Sequence, residues 1–492
     1  MTTQQQTRSD SDESPDAEVW RSRPPADRTT RSAGACAARR VWRLRSGTAK
    51  KHTKNTLTQR IQRRLAHVLV ATCLLVGSAV ARADAVTDWN AIMETTAATA
   101  TPDPFLRIRS AAITQLAVFE AVNSIVGDYE PYLGKVTAAP GASPEAAAIA
   151  AAHRALVGLH PDQAATLDAK RGASLAAVVD GQAKTDGIAV GEAAALAVLA
   201  ERANDGSLDD TPYTPGTEPG EYRPTPPDFT PAFRPGLGQV TPFAIESGAQ
   251  FRLAPPPALG SRRYARDYNE VKKVGDVSSS ERPPDRADVA RFYAVTNPVP
   301  LLYNPAARQA SQAQGKTLAQ NARIFALLNV AIFDAAVAVF DTKYFYNYWR
   351  PVTAIHLGDR DGNRRTDADV TWATFVPTPP FPSYPSGHAG FGGAARRVLE
   401  RMFGPDGHSI TLANPLVPDV VLHYTSWKQI TDDVDDARIF GGVHYRFDQE
   451  EGARQGRQVG KYVLRHCLRP LHRQIRTCAA PRHTALVTVS DD

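Results

Sequence analysis

The chain has little cysteine. It contains 4 cysteines and 3 methionines in 492 residues, which excludes a small disulfide-built scaffold. Cys36 and Cys73 lie in the N-terminal leader, so only Cys467 and Cys478 remain for the rest of the chain. In an exported protein these two could form one disulfide, and two free thiols are equally consistent with their spacing. Neither has the spacing of a metal ligand.

Positive charge is scarce outside the N-terminus. The formal net charge is +6, but residues 1–85 hold 16 Lys and Arg against 7 Asp and Glu, which leaves residues 86–492 with a net charge of −3. A nucleic-acid-binding surface needs a basic face with interleaved aromatic side chains. No such run follows residue 85. The composition therefore argues against a nucleic-acid partner.

Apolar runs typical of membrane anchors are also few. One run, residues 66–81, follows three arginines and precedes a small-residue segment that resembles a cleavage site. This pattern predicts a signal peptide over residues 56–85, so we expect a secreted or periplasmic protein without stable membrane association after cleavage. An uncleaved anchor is the alternative. Residues 1–55 are polar and unpatterned, which indicates a disordered or mis-started leader.

The rest of the chain has enough apolar residues, 42% of the sequence, for a large core. Apolar periodicity predicts helices over residues 86–203, an N-terminal helical bundle, and again over 261–492, where it is clearest from Thr317 to Phe340. Between them, residues 204–260 are rich in proline, which predicts a long irregular connection. The acidic run 432–436 indicates a solvated turn.

A short internal sequence repeat links the two helical regions. Residues 117–122 (Ala-Val-Phe-Glu-Ala-Val) align with residues 331–336 (Ala-Ile-Phe-Asp-Ala-Ala) at an offset of 214. The first copy has Tyr129 where the second has Lys343. This favours two related bundles of which only the second has a functional site; shared composition of two Ala-rich helices is the alternative.

Three short segments carry residues suited to one chemistry. They are Lys343-x6-Arg350-Pro351, Pro385-Ser386-Gly387-His388 and Arg438-x5-His444-x3-Asp448. Guanidinium groups offer paired donors to anionic oxygens, an ammonium adds a point charge, and a glycine lets a backbone N–H approach closely. Together the segments predict a site that holds a tetrahedral oxyanion.

In this order and spacing, the segments resemble the signature shared by vanadium-dependent haloperoxidases and type 2 phosphatidic acid phosphatases. The resemblance covers most of residues 86–465 and implies an all-α fold of two related four-helix bundles with long Pro-rich connections, with the active site in the C-terminal bundle, residues 261–492. Ala437 departs from the pattern, because many members of the superfamily have Ser before the arginine. The departure removes a hydroxyl contact but no charge.

The resemblance also implies roles for the motif residues. The three cations and the Ser-Gly turn would bind the oxygens of the oxyanion. These cofactor-binding residues are Lys343, Arg350, Arg438, Ser386 and Gly387.

The two histidines would share the chemistry. His388 would hydrogen-bond an apical oxygen and transfer protons, and His444 would either bond vanadium or take a phosphoryl group. Both uses of His444 need a neutral imidazole whose other nitrogen is held by an acceptor. Asp448 is the expected acceptor; its alternative partners are Arg438 and Arg446.

The function implied is that of a secreted vanadium-dependent haloperoxidase. It would use vanadate as cofactor, with phosphate competing for the same site, and would oxidise halides with hydrogen peroxide to hypohalous acid that reacts with a small organic substrate. Lys343 would polarise the bound peroxide. The alternatives are an acid phosphatase with a phosphohistidine intermediate and, in another class, an exported oxyanion-binding protein. The sequence is compatible with an oligomer.

Two aromatic residues are candidates for the halide site. At the position of Phe381, fungal-type chloroperoxidases resemble this chain and also have Phe. Algal bromoperoxidases have His at this position. Phe340 replaces the Trp found in the chloroperoxidases. We therefore expect bromide and iodide to be oxidised well and chloride weakly, at acidic pH only.

Overall fold

Nearly all of the regions in which apolar periodicity predicts helices are helical in the structure. The computed structural model describes residues 84–294 and 302–471 and contains thirteen α-helices there. In chain order the elements are α1 (Ala85–Ala100), α2 (Pro104–Val126), α3 (Pro144–Leu159), α4 (Ala164–Ala176), α5 (Gln182–Glu201), α6 (Arg262–Val274), α7 (Pro284–Ala294), α8 (Tyr303–Ala313), α9 (Leu318–Tyr346), α10 (Pro351–His356), α11 (Gly387–Phe403), β1 (Asp406–Ala413), β2 (Val421–Ser426), α12 (Trp427–Phe440) and α13 (Arg446–His466).

Some expectations fall outside the described residues. They concern the leader at residues 1–55, the signal peptide as far as residue 83, and Cys478 as a disulfide partner. Cys467 is described, half-buried and a free thiol, and burial raises its pKa to about 12.

The first helices start at well-defined caps and pack closely. Asp103 accepts hydrogen bonds from the first backbone N–H groups of α2, and Ser143 caps α3 in the same way. Helices α2, α3 and α5 pack on one another. The approach of α3 and α5 needs a small residue, since a Cβ at Gly191 would clash with the Ala147 carbonyl. The contact between α3 and α5 is thus built on small residues.

Helix α9 lies at the centre of the fold. It begins after the Thr317 cap, packs on α2, α11 and α13, and is buried along almost its whole length. Among the described residues it is the one helix long and apolar enough to cross a membrane, but 94% of its most apolar window is buried inside the protein. It continues beyond Phe340, where the apolar pattern weakens, to Tyr346. Lys343 therefore lies in its last turn.

The internal sequence repeat is matched by hydrogen bonds at equivalent positions of its two copies. Asn90 and Asn304, which are 214 positions apart, share a hydrogen bond of 2.9 Å in the interior. The aligned carboxylates of Glu120 and Asp334 both accept three consecutive backbone N–H groups, at residues 132–134 and 243–245 respectively. The two halves thus share specific buried polar contacts as well as composition.

The Pro-rich segment 204–260 is irregular apart from two short 3₁₀ turns. It packs on the helices through buried aromatic residues such as Tyr222 and Phe243. The guanidinium of Arg202 lies 4.0 Å from the centre of the Phe243 ring. This segment therefore packs against α9 and forms part of the core around it.

A β-hairpin is an addition that the helical pattern did not predict. Strands β1 and β2 are antiparallel, and residues in β1 alternate between exposed and buried. The acidic run 432–436 is helical rather than a turn, because Asp433 and Asp436 are paired with Arg286 and Arg446 at 2.8 and 2.9 Å. The all-α class is confirmed apart from this hairpin.

Helices α11 and α13 are in close contact, which brings two of the motifs together. A Cβ at Gly456 would clash with the carbonyl of Gly390, so the two backbones nearly touch. At the motif end of the pair, the Ser386 N–H donates to the Asp448 carbonyl at 2.9 Å. The packing of these helices thereby fixes the Ser-Gly-His turn beside the His-x3-Asp segment.

Candidate active site

The three motif segments meet at the ends of five helices. Lys343 is in the last turn of α9, Arg350 precedes α10, Ser386 caps α11, Arg438 is in the last turn of α12, and His444 precedes α13. All five side chains are buried. Helix ends leave backbone groups unpaired, so a site built from them is rich in hydrogen-bonding capacity.

Arg350 is held by backbone carbonyls. Its Nε donates to Phe381 O at 2.7 Å and its Nη1 donates to Val443 O at 2.8 Å. Nη1 also lies 3.1 Å from Nε2 of His444. Nη2 is buried and has no partner among the described residues. The guanidinium is therefore rigidly placed, with one donor group left for a ligand.

Lys343 is fixed in a similar way. Its Nζ donates to the carbonyls of Pro382 and Ser383 at 2.7 and 2.8 Å. Burial, and after it the charge of Arg350, lowers the pKa of Lys343 well below its usual value. An anion beside this ammonium would oppose both effects.

Arg438 completes the set of cations. Its Nε is buried without a partner in the described part of the chain. Burial lowers the pKa of Arg438 to about 9 and that of Arg350 to about 10. Three buried cations repel one another, and among the described residues the carboxylate of Asp448 opposes this repulsion at Lys343. The charge balance and the unpaired donors fit an oxyanion such as vanadate or phosphate.

His444 is oriented by Asp448. Its Nδ1 lies 2.8 Å from Oδ2 of Asp448, and its Nε2 faces Arg350. Because a guanidinium can only donate, Nε2 must accept, which assigns the proton to Nδ1. Burial, followed by the charge of Arg350, lowers the pKa of His444 well below its usual value. The imidazole is therefore neutral, and its Nε2 lone pair points towards the cations.

Asp448 has no ion pair with either arginine named as an alternative partner. Arg446 pairs instead with Glu270 at 2.6 Å and with Asp436. Burial raises the pKa of Asp448 to about 6, although hydrogen bonds and nearby cations oppose this rise. The expected contact between Asp448 and His444 is thus present in the structure.

The sequence motifs did not point to Ser383. Its Oγ donates to Oδ2 of Asp448 at 2.6 Å and lies 3.3 Å from Nδ1 of His444. Its backbone carbonyl also binds Lys343. Ser383 therefore supports both the histidine and the lysine. The available signal was its position three residues before Ser386, which placed it in the same turn.

His388 lies at the start of α11. Its Nε2 is buried and has no partner among the described residues, and its ring borders a cavity. Burial, then the charge of Arg438, lowers the pKa of His388 well below its usual value. The neighbouring Gly387 is close to the lysine, since a Cβ there would lie 4.0 Å from Lys343 Cε. The first N–H groups of α11 are free of helical partners and suit an anion.

The cavity beside His388 has a volume of about 530 Å³. Most of its lining is apolar, with His388 and Arg438 as the charged or titratable groups. Apolar residues come from α2, the Pro-rich segment, α9, the loop before α11 and α11 itself, among them Phe105, Ile108, Phe233, Leu237, Phe340, Phe381 and Phe391. The cations are thus reached through a poorly solvated space.

Both halide-site candidates line this cavity. The ring centre of Phe381 lies 5.0 Å from Lys343 Nζ and 4.9 Å from Arg350 Cζ. The rings of Phe381 and Phe340 are 5.1 Å apart. Phe345, two residues after Lys343, faces outward, with 58% of its surface exposed. There it packs under Arg252.

Comparisons with known proteins relate this chain to the vanadium haloperoxidases. Residues 323–473 match the family model of the second helical-bundle domain of vanadium chloroperoxidase. Vanadium chloroperoxidase of Curvularia inaequalis is 27% identical over 283 residues, which cover 44% of this chain and 46% of that protein. The matched region is therefore less than half of the length of that relative.

Solved structures extend the likeness to both halves of the chain. A bacterial vanadium-dependent iodoperoxidase has a TM-score of 0.66 at 24% identity, covering 77% of this chain and 95% of that one. The holo form of a bacterial vanadium-dependent chloroperoxidase has a TM-score of 0.60 at 18% identity, covering 74% and 92%. The resemblance inferred from the three motifs is thereby confirmed: this chain has the fold of the vanadium haloperoxidases.

Proposed function

We propose that this protein is an exported vanadium-dependent haloperoxidase that oxidises halides with hydrogen peroxide. The observation that carries the proposal is a neutral, oriented imidazole, His444, whose Nε2 faces a cage of three buried cations. The relative from Curvularia, a vanadium chloroperoxidase, supports vanadate as the oxyanion. Export rests on the apolar segment at residues 66–81 and its flanking residues.

The residues that would hold vanadate are those with unpaired groups. Arg350 Nη2 and Arg438 Nε can donate to its oxygens, and Lys343 adds positive charge. His444 Nε2 would bind the metal directly. When bound, vanadate supplies a Lewis acid that activates hydrogen peroxide without being reduced.

The chain itself supplies proton transfer and charge. His388 Nε2 is neutral, buried and unpartnered in the described residues, so it can accept a proton from hydrogen peroxide and return it later. Lys343 would stabilise negative charge as the oxygen–oxygen bond is polarised. Asp448 keeps the His444 proton on Nδ1. The apolar cavity excludes bulk water and strengthens each of these interactions.

An acid phosphatase would use the same cage, with His444 as nucleophile and His388 as acid. We favour the peroxidase because the described chain carries a second set of related helices, whereas soluble phosphatases of this superfamily need one small bundle.

The test measures two activities of the same protein. One is the oxidation of a phenolic indicator in the presence of bromide, with and without added vanadate, and the other is the hydrolysis of a generic phosphate ester. Vanadate-dependent bromide oxidation supports the proposal. Ester hydrolysis alone would identify a phosphatase. If the protein showed neither activity, the remaining candidate would be an oxyanion-binding protein.

Replacing Phe381 by His is expected to raise the optimum pH of bromide oxidation. The new imidazole would lie about 5 Å from Lys343 Nζ, where the phenyl ring now lies, and would add a titratable group beside bound peroxide. In the unmodified protein we expect bromide and iodide to be oxidised well and chloride only weakly, at acidic pH. Steady-state assays with each halide at saturating peroxide measure both effects.

Phe233→His is the matched control, because Phe233 lines the same cavity and its ring centre is 6.4 Å from that of Phe381. Its pH profile should match that of the unmodified protein. An unchanged profile in Phe381→His, or equal changes in both variants, would show that this position does not govern halide oxidation.

A further inference from the structure

A second group of unpaired cations lies away from the active site. A cavity of about 290 Å³ is lined by the ends of α11 and α13 and by the beginning of α9. Five of its eight lining residues are basic, and its lining contains no carboxylate. These five residues, which we call the basic pocket, are Arg323, Arg397, Arg401, Lys461 and Arg465.

None of the five forms an ion pair with a carboxylate elsewhere in the described residues. Charged residues adjacent to the pocket in sequence are paired with each other or elsewhere: Arg469 binds Glu130 at 2.6 Å, and Arg396 binds Glu400 at 2.6 Å. Arg323 donates to Leu468 O at 2.7 Å, its Nη1 lies 3.5 Å from the weakly accepting Sδ of Met402, and its guanidinium lies 5.0 Å from the centre of the Tyr129 ring. In the described part of the chain, no carboxylate therefore neutralises the positive charge of the pocket.

The spacing of these residues costs stability. Arg397 and Arg401 are four residues apart on α11, and Lys461 and Arg465 are four residues apart on α13. Like charges at this spacing destabilise a helix. The two helices pack on each other, so the two pairs add to one another's field. Burial lowers the pKa of Arg323, and the charge of Arg401 lowers it further.

Interaction with the helix dipoles explains only part of the pocket. A basic residue in the last turn of a helix is favourable, which accounts for Arg401 and Arg465. Arg397 and Lys461 lie one turn earlier, and Arg323 lies near the beginning of α9. Their convergence on one concavity needs another compensating charge.

We propose that the basic pocket binds a soluble oxyanion with more than one negative charge, of the diphosphate class. The concave shape and the guanidinium donors suit a compact anion with several oxygens. The site is distinct from the active site, because Arg401 lies roughly 20 Å along α11 from Ser386 at 1.5 Å per residue. The proposal is independent of the haloperoxidase activity.

The test is titration of the full-length protein with inorganic pyrophosphate, by calorimetry. The variant is Arg401→Glu combined with Lys461→Glu, both exposed side chains. The control is Lys170→Glu combined with Arg262→Glu, two other exposed side chains that give the same change in net charge outside the pocket. The active-site cage is intact in all three proteins, so any binding there is common to them.

We expect a pyrophosphate-binding event in the unmodified protein and in the control that the pocket variant lacks, or shows with a Kd raised about tenfold or more. Without pyrophosphate, the pocket variant should unfold at nearly the same temperature as the unmodified protein, because the removal of two like-charge pairs offsets the loss of a favourable positive charge, that of Arg401, at the end of α11. The same isotherm in all three proteins would overturn the proposal. Equal weakening in the variant and the control would also overturn it, because the effect would then come from net charge.

Discussion

Replacing His444 by Ala is expected to abolish both vanadate binding and bromide oxidation. The substitution removes the imidazole whose Nε2 lone pair faces the cations and accepts a hydrogen bond from Arg350. Replacing His388 by Ala should instead preserve vanadate binding and lower kcat by roughly 100-fold or more, the usual scale of general acid–base catalysis. His388 Nε2 makes no hydrogen bond with another described residue, so the fold should tolerate its loss.

Equilibrium binding of vanadate and steady-state bromide oxidation measure the two effects separately. His423→Ala is the control, since this histidine is exposed on β2 and bonds only Thr411 among the described residues. It should retain both binding and turnover. Equal loss of vanadate binding in the His444 and His388 variants would contradict the division of roles.

Replacing Arg438 by Ala should weaken vanadate binding by about 3 kcal/mol, or roughly 100-fold in Kd. The oxyanion would then be under-neutralised in a poorly solvated site. Arg438 is the informative arginine, because its buried Nε has no partner in the described residues. Arg350→Ala would also break the hydrogen bonds to Phe381 O and Val443 O, so its effect on folding would obscure its effect on binding.

Calorimetric titration with vanadate and with phosphate measures the affinity, and thermal unfolding of the ligand-free variant checks the fold. Arg438→Lys should recover part of the affinity, since it restores the charge without the second donor. If Arg438→Ala bound both anions as tightly as the unmodified protein, the assignment of the oxyanion site would be wrong.

Local patterns made much of the site predictable. The residues of each motif are close in sequence, and Asp448 in the first turn of α13 contacts His444, which lies two residues before that helix. The long apolar segment that became α9 was equally clear. Its true end at Tyr346 was not, because tertiary contacts rather than apolar periodicity extend the helix past Phe340.

Contacts between distant segments were less predictable. Ser383 supports Asp448 and Lys343, but nothing in its local sequence distinguishes it from other serines in turns. The acidic run 432–436 is helical because arginines from α7 and α13 neutralise it. The basic pocket likewise appears only when α11 and α13 are placed side by side, since each of its like-charge pairs alone resembles an ordinary solvated helix face.

The cavity connects the chemistry with the fold. Apolar side chains from both halves of the chain surround the approach to His388, which explains why the cations are buried in a site that must bind an anion. Burial strengthens each charged contact and lowers the pKa of both histidines. The site is therefore prepared to bind charge and to move protons only after a ligand has compensated its cations.

The most direct test of the account is a vanadate titration of bromide oxidation, using protein first freed of bound vanadate, at several phosphate concentrations. We predict that activity is absent without vanadate, saturates at one vanadate per chain, and requires more vanadate as phosphate rises, because both anions compete for the cage of Lys343, Arg350 and Arg438. Absence of bromide oxidation at every vanadate concentration, with hydrolysis of a phosphate ester by the same protein, would contradict it.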